Sequence, residues 1–303
     1  MSQFIQLFIY GLQLGSTYAL LALGYSMVYG IVKMINMAHG DFLMIGAMSA
    51  IFMVQALKKS MDLSGGMPLS LILVVALGSM AITGLLGVIT EFIAYKPLRS
   101  RPSSCLISAL GVDLFIQNIL RVWPAVGPTP RKFPDLFQTT RFDINGVSFS
   151  NVQIIVIAVA LVIMILLHLL VEKTKIGRQM RAVSLDKDAS SLMGINVNRT
   201  ISLTFFIGAS LAAVGGILYG SVYPLVDIYV GSWLGTKAFI AAILGGIGDL
   251  RGAMLGGVLM GIIEIFAMSV NSDLGYGAVF AVLICVLLFK PAGILGKTQI
   301  EKV

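Results

Sequence analysis

Three observations predict an all-α polytopic membrane protein, a bundle of about eight transmembrane helices with broken or re-entrant segments. Of 303 residues, 57% are hydrophobic and 12% charged, against roughly 25% charged in a soluble domain. Apolar runs of about 20 residues, the length that spans a bilayer core, recur along the chain. The 33 glycines are spread through those runs, as close helix packing in lipid requires. This pattern excludes soluble enzymes, nucleic-acid binders and secreted disulfide scaffolds. The net charge of +7 is then read as basic residues held in cytoplasmic loops. Cys105 and Cys285 both sit in apolar runs, where a thiol acts as a small hydrophobe, and no redox role is assigned to them.

Seven clear runs occupy residues 5–32, 38–57, 68–94, 104–122, 150–171, 201–222 and 274–290. The first has no basic leader and is too long for a signal h-region, so it is read as a retained membrane helix. An eighth, interrupted stretch covers 229–270. Basic residues in short loops set the orientation. Lys33, the segment 95–103 (Lys96, Arg99, Arg101), the segment 172–200 (Lys173, Lys175, Arg178, Arg181, Lys187, Arg199) and the tail (Lys290, Lys297, Lys302) are placed inside. Lys58, Lys59, Arg121, Arg131, Lys132 and Arg141 fall outside, so the bias is modest. By parity, 229–270 must begin and end outside and is a hairpin of helices. Its apolar piece 237–247 is either a re-entrant half-helix or extends back through Gly231 and Trp233 to span fully.

Two polar islands break the apolar pattern. The first is Asn36-Met37-Ala38-His39-Gly40-Asp41; the second is Gly245-Gly246-Ile247-Gly248-Asp249-Leu250-Arg251-Gly252. Non-helical backbone at membrane depth is tolerated only inside protein or beside a wet cavity, so both are candidates for a translocation path. Asn36, His39, Asp41, Gly248 and Asp249 are the candidate path residues. The competing reading makes Asn36, Asp41 and Asp249 helix caps. Gly40-Asp41 aligns with Gly248-Asp249, which points to an internal duplication, roughly 5–122 and 150–290, within a single domain spanning 1–303.

The loop 172–200 predicts a short amphipathic helix over 186–193, with Asp186 and Asp188 near its start, Leu185, Ala189, Leu192 and Met193 on one side, and Gly194 as its stop. Such a helix is a docking knob for a partner protein or lies on the lipid headgroups. In the loop 121–149, Pro124, Pro128, Pro130 and Pro134 oppose regular helix, and Phe142 to Phe149 reads as a hairpin turning at Asn145-Gly146.

Gly296-Lys297-Thr298 matches the P-loop only in part: the upstream glycine would fall at Pro291. ATP hydrolysis therefore belongs to other chains. His39 and His168 have no metal-ligand spacing, so no metal is expected. Intramembrane ionisable residues are the default functional candidates, here Glu91, Asp113, Arg121 and Glu264 besides Asp41 and Asp249. Glu91 and Glu264 lie near span ends, where snorkelling satisfies them, and no relay of buried carboxylates is evident.

In order along the chain, Gly15-Ser-Thr-Tyr-Ala-Leu20, Met34-Ile-Asn-Met-Ala-His-Gly-Asp41, Ala94-Tyr-Lys-Pro-Leu-Arg99, Gly177-Arg178, Asp188-Ala189, Gly194-Ile-Asn196, Leu244-Gly-Gly-Ile-Gly248 and Pro291-Ala-Gly-Ile-Leu-Gly296 resemble the LivH-type permease subunits of branched-chain amino acid ATP-binding cassette (ABC) importers. The resemblance covers almost the whole chain. It implies a fold of the type II ABC importer kind, in a bacterial inner membrane, and partners: membrane lipid, a second homologous permease, two ATP-binding cassette subunits and a periplasmic substrate-binding protein. It further implies that Asp188, Ala189, Leu192, Gly194 and Asn196 form the segment that docks in an ATPase groove. ATP-Mg would be bound by the partners, and no cofactor by this chain. The expected function is import of branched-chain or other hydrophobic amino acids. The alternative is a stand-alone secondary carrier or channel for small polar solutes such as amino acids, amides or urea.

Overall fold

In a computed structural model, residues 1–60, 67–99 and 101–296 are described. Lys302, and Lys297 and Thr298 of the partial P-loop match, lie outside them. The fold opens with α1 (Ser2–Val32), α2 (His39–Ser60) and α3 (Leu69–Thr90). α3 continues through one π-helical turn, Glu91–Tyr95, and one 3-10 turn, Lys96–Leu98. Next come α4 (Pro102–Val122), the short strand β1 (Arg131–Lys132), a hairpin of β2 (Arg141–Ile144) and β3 (Val147–Ser150), and α5 (Asn151–Lys173). The chain finishes with α6 (Lys175–Leu185), α7 (Lys187–Leu192), α8 (Val197–Val222), β4 (Leu225–Val226), α9 (Val230–Gly245), α10 (Leu250–Val270) and α11 (Leu274–Phe289).

Seven helices among the described residues are long and apolar enough to cross a membrane, and α9 and α11 are shorter apolar helices. The hairpin at 229–270 is α9 and α10. α9 does extend back through Trp233 and Gly231 to Val230, but its 16 residues reach about 24 Å at 1.5 Å per residue, short of a bilayer core of about 30 Å.

α1 and α8 form the centre, with 72% and 78% of their most apolar windows buried, whereas α3, α4 and α5 present apolar faces outward. α1 lies antiparallel against α10 at a glycine seam. A Cβ on Gly15 would stand 2.7 Å from the Val258 carbonyl oxygen and 2.8 Å from its Cα, so only glycine permits this approach.

The two ends of the bundle separate the loops as the charge reading placed them. At one end Arg99 bonds Asn198 (2.6 Å), Lys187 reaches the Val32 carbonyl (3.5 Å), and the tail closes on α9 through Ile294 N–H to Leu244 O (2.8 Å) and Leu295 N–H to Gly245 O (2.9 Å). At the other end β1 pairs with β4, and Gln6 accepts a bond from the Ser148 N–H (2.7 Å). Arg131, placed with Lys58 and Lys59, stacks over Phe52 of α2 at this same end. The hairpin forms as expected, with Asn145 and Gly146 both left-handed (φ 51° and 77°).

Two expectations need correcting. The segment 172–200 holds two helices: α6 precedes the expected one because Thr174 caps it by accepting the Gly177 N–H (3.1 Å). Glu91 and Glu264 do not snorkel. Both are buried, at 0% and 3% exposed, and each is paired inside the protein, Glu91 with Arg99 and Ser202, Glu264 with Lys237 and Tyr18.

Candidate functional site

The first break begins where Lys33 turns left-handed (φ 62°), its N–H bonded to Tyr29 O. Residues 33–38 then run back along α1, so that the His39 ring packs on Gly24 and lies 4.6 Å from Tyr25. Gly24 stands eight residues before Val32, so α2 starts about 12 Å back from the end of α1, within the bundle. Glycines on both sides make room: a Cβ on Gly235 of α9 would lie 2.7 Å from the Gly40 Cα.

Asn36, His39 and Asp41 are all buried. The Asn36 side-chain oxygen accepts the Tyr95 O–H (2.8 Å), while both His39 ring nitrogens and one Asp41 oxygen have no partner. Asp41, 0% exposed, sits beside two residues of α4 and one of α9. Gln117 Nε2 reaches Asp41 Oδ1 (3.2 Å), Asp113 Oδ1 (3.0 Å) and Ser232 Oγ (2.7 Å).

The second break works differently. Gly246 and Gly248 take φ of 109° and 95°, Gly248 packs on Gly30 at the end of α1, and Asp249 caps α10 by accepting the Gly252 N–H (2.9 Å). Among the described residues, neither Gly248 nor Asp249 is hydrogen-bonded to the Asn36–Asp41 segment. The structure thus groups Asn36, His39 and Asp41 deep in the bundle and leaves Gly248 and Asp249 at its end, with Gly248 exposed.

The expected docking segment is outside the bundle. Asp186 caps α7 by accepting the Asp188 and Ala189 N–H groups (both 2.9 Å), and Gly194 ends it with φ 81°. Asp188, Ala189, Leu192, Gly194 and Asn196 are all exposed, Leu192 at 89%. Leu192 and Met193 form an exposed apolar knob at the end of α7, and Leu185 before it is exposed too, while Ser190 is buried and Asn196 caps α8 through the Arg199 N–H (3.0 Å). Partial burial, with Arg99 nearby, holds the Lys187 ammonium below the usual lysine range.

Sequence reasoning missed Gln117, Ser232 and Lys237. Lys237, 8% exposed, pairs with Glu264 and stacks 4.0 Å over the Tyr276 ring. Its signal was a lone cation inside the apolar run of α9. Gln117 stands one turn from Asp113, which puts both on one face of α4.

The profile of the family described as "Branched-chain amino acid transport system / permease component" matches residues 7–287. The chain is 42% identical to the high-affinity branched-chain amino acid transport system permease protein BraD of Pseudomonas aeruginosa PAO1, over 99% of this chain and 98% of that one. It is 40% identical to LivH of Escherichia coli K12, a permease protein of the same description, over 99% and 98%. Among solved structures it is similar to PsaBC from Streptococcus pneumoniae in complex with Fab, with a TM-score of 0.42 and 14% identity over 95% of this chain and 88% of that one.

Proposed function

The chain belongs to the branched-chain amino acid transport permease family, and from that premise we propose how it works. It is the multi-pass inner-membrane permease subunit of an ABC importer for branched-chain amino acids. Other chains of the transporter bind and hydrolyse ATP, and a binding protein delivers the substrate. Within that frame a second, homologous permease, two cassette subunits and a periplasmic binding protein complete the assembly. ATP-Mg sits in the cassettes, and no catalysis is assigned to this chain.

The observation that carries this reading is family membership over nearly the full length, joined to the exposed apolar knob on α7. A knob of leucine and methionine standing in water loses apolar exposure on docking, which favours a protein groove. Closure of the cassettes would move α7. The move would pass to α1 through Lys187 and Val32, and to the end of α3 through Asn198, Arg99 and Glu91. The bundle then opens on alternate sides of the membrane around the breaks. The stand-alone carrier is not favoured, because the family consists of components of a larger transport system.

The test is uptake of labelled leucine into proteoliposomes. The complete assembly accumulates leucine only with ATP, and this subunit alone accumulates none. ATP-independent uptake by the lone subunit overturns the reading.

A further inference from the structure

Besides the helix-capping Asp249 and the exposed Glu172 at the end of α5, four carboxylates lie within the spans, and the protein treats them in two ways. Glu91 has Arg99, and Glu264 has Lys237. Asp41 and Asp113 have no basic partner among the described residues, although Asp41 is 0% exposed. Their shared donor is a single amide nitrogen, Gln117 Nε2, which carries two hydrogens and faces three acceptors. One Asp41 oxygen is left without any partner while fully buried. An uncompensated acidic pair at this depth is costly, and a bound cation offsets it.

The cluster is reachable. Asp113 and Ser232 are half-buried and Thr236, one turn along α9, is exposed, so the pair opens on the face between α4 and α9. An apolar cleft of ≈ 730 Å³ lies between α2, α3 and α4, lined by Ile45, Met48, Phe52, Leu85, Ile116 and Leu120 among others. Ile45 follows Asp41 by one helical turn and Ile116 follows Asp113 by one, which places the nearest aliphatic lining one turn from each carboxyl group.

We infer that Asp41, Asp113, Gln117 and Ser232 form a subsite for the α-ammonium group of the transported amino acid, with the neighbouring cleft taking its aliphatic side chain. This rests on the permease reading above. A zwitterion entering a low-dielectric path keeps its positive pole only against fixed negative charge, and this pair, two neighbouring carboxyl groups that share one negative charge between them, is the uncommitted charge at depth. Asp113 is the outer contact and Asp41 the inner one, and Gln117 holds both carboxyl groups in place between transport cycles.

The test uses the complete assembly in proteoliposomes, measuring labelled leucine taken up per ATP hydrolysed for wild type, Asp113→Asn, Asp113→Glu and Asp41→Asn. The ratio is expected to fall tenfold or more for both Asn variants, with Asp113→Glu keeping at least half of the wild-type value. An Asp113→Asn ratio equal to wild type overturns the subsite. So does loss of both Asn variants from the membrane, which would make the cluster a structural one. A wild type whose uptake collapses when choline replaces sodium and potassium overturns it too, since the cation held is then inorganic. If the wild-type assembly shows no ATP-driven leucine uptake, the functional reading falls and takes the subsite with it. A working wild type with an indifferent Asp113→Asn removes the subsite alone.

Discussion

Lys237 and Glu264, on the neighbouring helices α9 and α10, pair inside the apolar bundle, and Tyr18 of α1 donates its hydroxyl to the other Glu264 oxygen at 2.8 Å. This ties the short α9 to the central seam through three helices. Breaking a buried pair from one side leaves an uncompensated charge, at a cost of about 3–5 kcal/mol. Lys237→Met should therefore lower the thermal midpoint of the detergent-purified protein sharply. The double variant Lys237→Met, Glu264→Met should recover most of that loss, because no lone charge remains. Equal midpoints for the single and double variants would show that the pair does not hold α9.

The glycine seam makes a contrasting pair of predictions. At Gly15 a side chain meets the Val258 backbone, which moves only if α1 and α10 separate. Gly15→Leu should cost about 3 kcal/mol or more, at the upper end of overpacking effects. Gly111, within α4, has nothing within 4 Å of an added Cβ. Gly111→Ala should raise stability by about 0.5–1 kcal/mol through helix propensity alone. Thermal unfolding of both variants in the same detergent checks the two signs together.

The parts of this fold that were legible in the sequence follow from one-dimensional signals. Hydropathy located the spans, Asn145-Gly146 located the hairpin turn, and Asp186 with Gly194 bracketed α7. The fold-back after Lys33 was not legible, because it depends on Gly24 receiving the His39 ring, a contact between separate elements. For the same reason Glu264 read as a snorkelling carboxylate: its partners Lys237 and Tyr18 lie 27 and 246 residues away. The two Gly-Asp motifs look alike in sequence. Only the packing shows that Asp249 caps its helix while Asp41 faces Gln117 on another one.

The α7 knob predicts a separation of folding from assembly. Leu192 and Met193 are 89% and 83% exposed, so acidic substitutions there disturb no packing in the isolated subunit. Leu192→Asp should leave the thermal midpoint unchanged, as surface substitutions usually do, within about 0.5 kcal/mol. Co-purification of the cassette subunits should fall at least tenfold, since a charge would enter an apolar groove. Undiminished co-purification would move the docking contact to another segment of 172–200.

Arg99 makes a different prediction, because it touches both the end of α3 and the start of α8, just after the docking segment. Its guanidinium pairs with Glu91 at the π-helical turn ending α3 and donates to Asn198 in the first turn of α8, just beyond α7. Glu91 is fully buried, and Ser202 (2.7 Å) alone does not neutralise it. Arg99→Met should thus destabilise the protein by about 3–5 kcal/mol, and adding Glu91→Gln should restore most of that by removing the stranded charge. Stability and transmission then come apart in the double variant. It folds, but the Arg99 hydrogen bond to Asn198 that joins the end of α3 to α8 is gone, so leucine uptake per ATP hydrolysed should stay below wild type by severalfold. A double variant that recovers stability and uptake together would show that Arg99 only shields Glu91, and that the movement of α7 reaches the bundle through Lys187 and α1.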